Sequence, residues 1–232
     1  MAGVRELIIT ADDYGYSRRY DAGILEAARA GALDSVGAMV ERPSLDAAAL
    51  LESGVEVGLH LELDAPDGAP RAGPGERRAA EAALEGQFER FAEAFERPPA
   101  YLDGHHHCHA REGLGVVVCD FAIAHELPVR SIHPRHRRLL RCRGVATPDL
   151  LVGRLDQTHA ALPPELEAPA GPAGRGHMVI EWMVHPGRAN PSGGSSYDAG
   201  REEDLELLLA FSAPEDVART THRAARYAAT AC

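Results

Sequence analysis

Side chains that bind metals are concentrated between residues 102 and 109, which read Leu-Asp-Gly-His-His-His-Cys-His. Neutral imidazole is the commonest protein ligand for divalent metals, and a nearby carboxylate can complete such a site or orient its histidines. An expression tag or a solvated histidine-rich tract would also give this composition. That alternative is disfavoured because the run is interrupted, internal and preceded by Tyr101-Leu102, which is typical of the end of a short strand. The segment therefore predicts a metal site.

Two adjacent carboxylates, Asp12 and Asp13, follow a short apolar run at residues 7–10. Successive side chains of a strand point to opposite faces, so we expect the two carboxylates to face different ways. One could bind a metal while its neighbour reaches a water or another cation. The alternative is that one of them caps the helix that follows. The histidine cluster elsewhere in the chain favours a functional role for the pair.

Three further residues, His60, Arg130 and His185, also lie in or at the ends of predicted strands. Each has a plainer explanation, as a hydrogen-bonded core histidine, a structural ion pair and a capped buried histidine, respectively. Together with the aspartate pair and the histidine cluster they make five such positions, more than chance would place there. In parallel α/β architectures the carboxyl ends of the strands meet at one edge, where sites are built. We therefore expect these side chains to converge.

The elements that must position these residues alternate between strands and helices. Apolar runs predict strands at residues 7–10, 35–40, 55–63, 101–102, 127–132 and 178–184. Capped or amphipathic segments predict helices at residues 22–30, 44–52, 76–96, 114–125, 201–210 and 214–229. This alternation predicts an α/β fold in one domain (1–232), with a parallel sheet that forms either a barrel or a doubly wound sheet. No role is assigned to residues 131–177, whose arginine-rich part (135–143) is most simply a solvated face, or to the loops at 64–75 and 188–200.

Composition excludes several classes of function. The 232 residues are 45% hydrophobic and carry a formal net charge of −11, which argues against a nucleic-acid partner. No apolar run reaches the ~20 residues of a membrane span, and the N-terminus does not resemble a signal peptide. All 24 basic residues are arginines, so Schiff-base lysines and the phosphate-loop lysine are excluded. The four cysteines show no paired spacing, which predicts no disulfide framework and a cytoplasmic location.

At four places the sequence resembles the YdjC-like (ChbG-type) carbohydrate deacetylases. The matching segments are Ala11-Asp12-Asp13-Tyr14-Gly15, Gly58-Leu59-His60-Leu61, the histidine cluster at 102–109, and Glu181-Trp182-Met183-Val184-His185-Pro186. The resemblance implies a distorted (β/α) TIM-like barrel, mostly of parallel strands with outer helices. It also implies one divalent metal ion, Zn or Mg, bound by Asp13, His60 and His105. Two nitrogens and one oxygen would leave positions open for water and substrate, as in catalytic metal sites.

The reaction that we expect from this resemblance is hydrolysis of the N-acetyl group of an amino sugar, a small oligosaccharide or a glycoside. Asp12 would be the general base, His185 would protonate the leaving amine, and Arg130 would orient Asp12 or a neighbouring carboxylate. Three further residues would orient the ligating imidazoles from outside: Asp103, His107 and His109. The segments at 64–75 and 131–177 are shorter than in the chitooligosaccharide enzymes, which favours a small or modified glycoside. A homodimer is left open.

Two other functions remain as alternatives. One is another metal-dependent hydrolase on a barrel, a phosphoesterase or an amidohydrolase, although such enzymes commonly place a His-x-His pair after the first strand. The other is a non-catalytic metal-binding protein that uses the histidine cluster alone. The second alternative predicts that Asp13 and His60 are dispensable for metal binding.

Overall fold

A single parallel sheet forms the centre of the computed structural model, which describes residues 5–63, 72–153, 177–192 and 195–228. Its strands are β1 (Arg5–Tyr14), β2 (Ser35–Ala38), β3 (Glu56–Leu61), β4 (Leu102–Gly104), β5 (Leu150–Val152), β6 (Met178–Val184) and β7 (Val217–Arg219). They lie in the order β4-β3-β2-β1-β6-β5, with β7 also paired to β1, and every pairing is parallel. The prediction of an α/β fold with a parallel sheet is confirmed.

Backbone hydrogen bonds of residues 128–130 extend the sheet beyond β4 towards β5, so that the sheet curls into a distorted barrel. Arg130 N–H donates to the Leu102 carbonyl in β4 (3.0 Å), and Val129 N–H donates to the Ala146 carbonyl (2.9 Å), just before β5. This connection is thin, because residues 127–132 make one isolated bridge, Val129 to Leu102, where a full strand was predicted. Pro128 has no N–H group to contribute to a ladder. We call residues 128–130 the seam of the barrel.

Six helices and one 3₁₀ segment lie around the strands in the part of the chain that the structure describes. The helices are α1 (Arg18–Arg29), α2 (Ala47–Glu52), α3 (Pro74–Phe95), α4 (Leu114–Ala124), α5 (Pro134–Cys142) and α6 (Gly200–Ala210), and the 3₁₀ segment is His105–Ala110. The arginine-rich stretch that was expected only to be a solvated face is helix α5. Residues 64–71, part of a predicted loop, and 154–176, part of the stretch without an assigned role, lie outside the described residues.

The alternation of side chains along β1 separates an apolar layer from a polar interior. Leu7, Ile9 and Ala11 belong to the hydrophobic core that the helices cover. Thr10 and Asp12 point the other way, where Thr10 Oγ1 lies 2.8 Å from Ser35 Oγ and Asp12 contacts an arginine. The inside of the barrel is therefore lined with polar groups near the carboxyl ends of the strands.

The prediction of a helix at residues 214–229 is wrong. Residues 217–219 form β7, and the described residues after it are not helical. Strand β2 pairs with β1 only from Thr10 onward, which leaves the backbone of residues 5–7 without a partner on that side. Strand β7 fills this gap, and the need to satisfy these backbone groups outweighs the helix propensity of an alanine-rich segment.

The cysteines differ from expectation at one position. Cys108 and Cys119 are free and buried, whereas Cys142 is disulfide-bonded, so the prediction of no disulfide is not met at this residue. As for membranes, none of the helices among the described residues is both long enough and apolar enough to cross one.

Candidate active site

A β-bulge brings both carboxylates of the aspartate pair to the same cavity. Ala11 is opposite Val36 and Tyr14 is opposite Ala38. Between these two pairs β1 therefore contains one residue more than β2. The extra residue interrupts the alternation of side chains, and Asp13 takes a left-handed backbone conformation with φ of 70°. The expectation that Asp12 and Asp13 face different ways is therefore corrected, because both line one cavity.

Asp13, His60 and His105 meet at the carboxyl end of the strands. Asp13 Oδ1 lies 2.8 Å from His105 Nδ1 and 3.4 Å from His60 Nε2. One potential ligand atom from each residue falls within 4.8 Å of the others. Two imidazole nitrogens and one carboxylate oxygen form a donor set suited to a divalent transition metal, with room for further ligands.

The protonation of His60 provides a test of whether this donor set fits a cation. His60 Nδ1 lies 2.8 Å from Asp103 Oδ1, so a neutral ring that donates there presents an unprotonated Nε2 to the Asp13 carboxylate. Two acceptors that face each other require a proton or a metal between them. Burial alone would lower the pKa of His60, but Asp103 and Asp12 raise it well above its ordinary value. The residues therefore fit a metal ion, with Asp103 orienting the imidazole from behind.

The 3₁₀ segment directs three histidines of the cluster to the cavity and the fourth, His109, to the seam. Gly104 permits the tight turn, because a Cβ there would lie 2.8 Å from Cys108 Sγ. His106 and His107 follow with left-handed φ angles of 50° and 54°, and both line the cavity that holds His105.

His109 lies on the other side of the segment. It is fully buried, and its Nε2 lies 3.1 Å from the Arg130 carbonyl. It therefore contacts the backbone of the seam, whereas the predicted role was to orient a ligating imidazole.

Arg130 gathers three carboxylates inside the barrel. Its Nη1 and Nη2 groups donate to the two oxygens of Asp12 (2.6 and 2.8 Å), and its Nε donates to Glu181 (2.8 Å). Nη1 also lies 2.8 Å from Asp103 Oδ2. Burial would raise the pKa of Asp12, but Arg130 and His60 lower it well below its ordinary value. Asp12 is thus held as an ionised carboxylate with both oxygens fixed.

His185 follows β6 and approaches the Asp12 carboxylate. Its Nε2 is 4.0 Å from Asp12 Oδ2, and its backbone N–H donates to Asp204 (2.8 Å). The Tyr197 ring packs against the imidazole with centroids 5.4 Å apart, and the Tyr197 hydroxyl donates to the same Asp204 (3.1 Å). Burial lowers the pKa of His185 to about 4, so the resting ring is neutral.

Sequence reasoning missed three buried charged residues at this site: Glu181, Arg201 and Asp204. Arg201 was seen only as the start of a helix, yet its NH2 group donates to Asp13 Oδ2 at 2.6 Å. Glu181 stood inside a quoted motif without a role, and its place within an apolar strand was a signal that could have singled it out. No sequence pattern marked Arg201 or Asp204, because their partners are far away in the chain.

The cavity above these residues has a volume of about 370 Å³. Its walls include the predicted site residues Asp12, Asp13, His60, His105 and His185, while Tyr16, Ser195 and Ser196 contribute from loops. Small-molecule sites typically occupy ~300–1,000 Å³ and combine such a cavity with a few convergent polar groups. The arrangement can hold a small polar molecule against a metal ion and an ionised carboxylate.

Comparisons with known proteins agree with this picture. A family model described as "YdjC-like protein" matches residues 6–219. A chitooligosaccharide deacetylase of Proteus mirabilis is 29% identical, with 95% of this chain and 97% of the relative covered. A chitooligosaccharide deacetylase of Yersinia pestis is 34% identical over 53% of this chain and 58% of the relative.

Among solved structures, the chain is similar to a protein of Enterococcus faecalis that is described provisionally as a cellobiose-phosphate cleavage protein. The TM-score is 0.74 at 21% identity, and the match covers 95% of this chain and 98% of the other. This likeness concerns the fold, and it agrees with the distorted barrel described above.

Proposed function

Because the chain belongs to the YdjC-like protein family, we propose that it is a metal-dependent carbohydrate N-deacetylase that hydrolyses the N-acetyl group of an amino sugar, a small oligosaccharide or a glycoside. The observation that carries the proposal is one cavity in which Asp13, His60 and His105 can hold a metal beside a carboxylate, Asp12, that is not one of the three. The relatives named as chitooligosaccharide deacetylases support the substrate class.

A divalent ion held by Asp13, His60 and His105 would supply Lewis-acid activation of the acetyl carbonyl and of a water molecule. Zinc and magnesium both remain candidates, with the two imidazoles favouring a transition metal. Asp103 fixes the tautomer of His60, and Arg201 contacts the second oxygen of Asp13.

The chain's own residues then move the protons. Asp12, held by Arg130, accepts a proton from the attacking water as the C–O bond forms. His185 is neutral at rest, so the proton that it delivers comes from Asp12; because 4.0 Å separates Asp12 Oδ2 from His185 Nε2, a bridging water carries it. His185 passes this proton to the amine nitrogen as the C–N bond breaks, which leaves acetate and a free amino sugar.

Release of acetate tests the proposal. The zinc- or magnesium-loaded protein is incubated with N-acetylglucosamine and its short oligomers, and acetate and free amine are quantified together. We expect equal amounts of both products and their loss on chelation of the metal. Release of phosphate from a generic phosphoester, with no acetate from any N-acetyl sugar, would favour the phosphoesterase alternative. Metal binding that survives loss of Asp13 and His60 would instead favour a metal-binding protein that uses only the histidine cluster.

A further inference from the structure

The two neighbouring aspartates are held by different arginines in different ways. Arg130 donates to both oxygens of Asp12. Arg201 donates to only one oxygen of Asp13, Oδ2, at 2.6 Å. The other oxygen, Oδ1, is the one that faces His105 and His60.

Arg201 is itself buried and packed against an aromatic ring. Its side chain is 1% exposed, and its guanidinium carbon lies 3.9 Å above the centre of the Tyr20 ring, as in a cation–π contact. Gly187 also packs closely against Arg201, because a Cβ on Gly187 would be 3.2 Å from Arg201 Cδ. The Tyr20 hydroxyl donates to Asp198 (2.9 Å), which joins α1 to the turn before α6.

We propose that Arg201 is a positioning residue that restricts Asp13 to one-oxygen coordination of the metal, so that the two arginines decide which aspartate is the ligand and which is the base. This inference rests on the proposed metal centre and adds a residue to it. An Asp13 without Arg201 could turn and offer both oxygens, which would fill a coordination position that the substrate or water needs. Partners of metal ligands typically contribute 10–100-fold to metal affinity.

The test compares Arg201→Met and Arg201→Lys with the unchanged protein by Co²⁺ titration, which reports both affinity and coordination. We expect Arg201→Met to change Co²⁺ affinity about 10–100-fold, because it removes both a partner of the ligand Asp13 and a positive charge beside the metal. Its visible absorption should also become weaker per ion, because Co²⁺ absorbs less as its coordination number rises. Arg201→Lys, which keeps a cation beside Oδ2, should recover part of both effects.

Arg141→Met is the matched control, because Arg141 also makes a partly buried ion pair, with Asp149, away from the cavity. If Arg201→Met does not fold, Tyr20→Leu and Tyr20→Phe replace it. The leucine variant removes the ring that supports the guanidinium and should change the Co²⁺ spectrum more than the phenylalanine variant, which keeps the ring.

Each outcome separates this inference from the proposed function. A folded Arg201→Met with unchanged Co²⁺ affinity and spectrum would overturn the role of Arg201, whatever the activity. Co²⁺ effects as expected, together with no acetate release by the unchanged protein, would support the role and contradict the deacetylase. An unchanged protein that binds no Co²⁺ at all would overturn both.

Discussion

At the scale of single residues, the two adjacent aspartates of the site have different hydrogen-bond partners. Asp12 keeps both oxygens on Arg130 while Asp13 keeps one oxygen towards His60 and His105. The sequence singled out these residues because each lies in or near the carboxyl end of an apolar strand, and the structure brings them together, while their roles stay predictions. It could not reveal the bulge that turns both carboxylates inward, because an extra residue is visible only against the paired strand.

Asp12→Asn should separate catalysis from metal binding. The amide cannot take a proton from water, so we expect kcat to fall by about 10²–10⁴, the usual contribution of a general base. Co²⁺ or Zn²⁺ affinity should change little, because Asp13, His60 and His105 remain in place. Acetate release and metal titration check both parts, with the exposed Asp120→Asn as control. Full activity in Asp12→Asn would refute the assignment of the base.

His60→Ala and His105→Ala should lose metal and activity together. Each removes one of the three proposed protein donors, and the remaining two would hold a divalent ion far less tightly. Metal content after dialysis and acetate release are measured on the same samples. His106→Ala, a neighbour on the cavity wall, serves as the control that should keep its metal. Stoichiometric metal in His60→Ala would show that the histidine cluster binds the ion without the strand residue.

Asp204 predicts a dependence of stability on pH. Burial raises its pKa to about 6. The folded protein therefore holds this proton more tightly than the unfolded chain, and the resulting stabilisation is present below about pH 4 and lost as pH rises through 6. The unfolding free energy of the unchanged protein minus that of Asp204→Asn should fall by roughly 1–3 kcal/mol between pH 4 and 7. Denaturant titrations of both proteins measure this difference, and parallel pH profiles would contradict the prediction.

At the scale of elements, the hydrophobic patterns of the sequence predicted the bounds of several strands and helices well. The strand predicted at residues 178–184 has those bounds in the structure, and α4 differs from its prediction by one residue. The pattern failed at residues 214–229, where an alanine-rich segment supplies β7 because residues 5–7 of β1 need partners. It also failed at the seam, where Pro128 limits the pairing. Both failures come from contacts between distant parts of the chain.

Gly58 allows β3 to pack closely against the ring of Tyr101, which precedes β4. A Cβ at this position would lie 2.3 Å from a Tyr101 ring carbon, and that ring is stacked on His222 with centroids 3.8 Å apart. Gly58→Ala should therefore destabilise the fold by about 1–3 kcal/mol, the usual cost of overpacking. Thermal unfolding should show a Tm several degrees lower, whereas Gly75→Ala, with no neighbour within 4 Å of its Cβ, should not. Equal Tm values would mean that the Tyr101 ring can move aside.

At the scale of the whole molecule, a barrel with an apolar outer layer encloses a charged interior. Asp12, Asp103, Arg130 and Glu181 are all at most 3% exposed. Burial raises the pKa of Asp103 and of Glu181, and Arg130 is a buried cation that contacts both of them as well as Asp12. A divalent cation beside them would be favourable for the folded state alone.

Metal binding should therefore raise the thermal stability of the whole protein. At free metal of 100 times Kd, a ligand that binds only the folded state stabilises it by about 2.7 kcal/mol. For a chain of this size, this is a rise in Tm of roughly 5–10 °C. Unfolding scans with and without Zn²⁺, on the unchanged protein and on His60→Ala, measure it. A similar rise in His60→Ala would show that the ion acts elsewhere.

The thin seam at residues 128–130 has a consequence for anyone who wishes to redesign this protein. Arg130 lies next to the isolated bridge between Val129 and Leu102 and forms ion pairs with carboxylates on β1, β4 and β6. These ion pairs connect three strands to the seam, so the residue that is proposed to hold the base, Asp12, also supports the barrel wall behind it. Retuning the base by changing Arg130 would loosen the scaffold at the same time, unless another brace were built first.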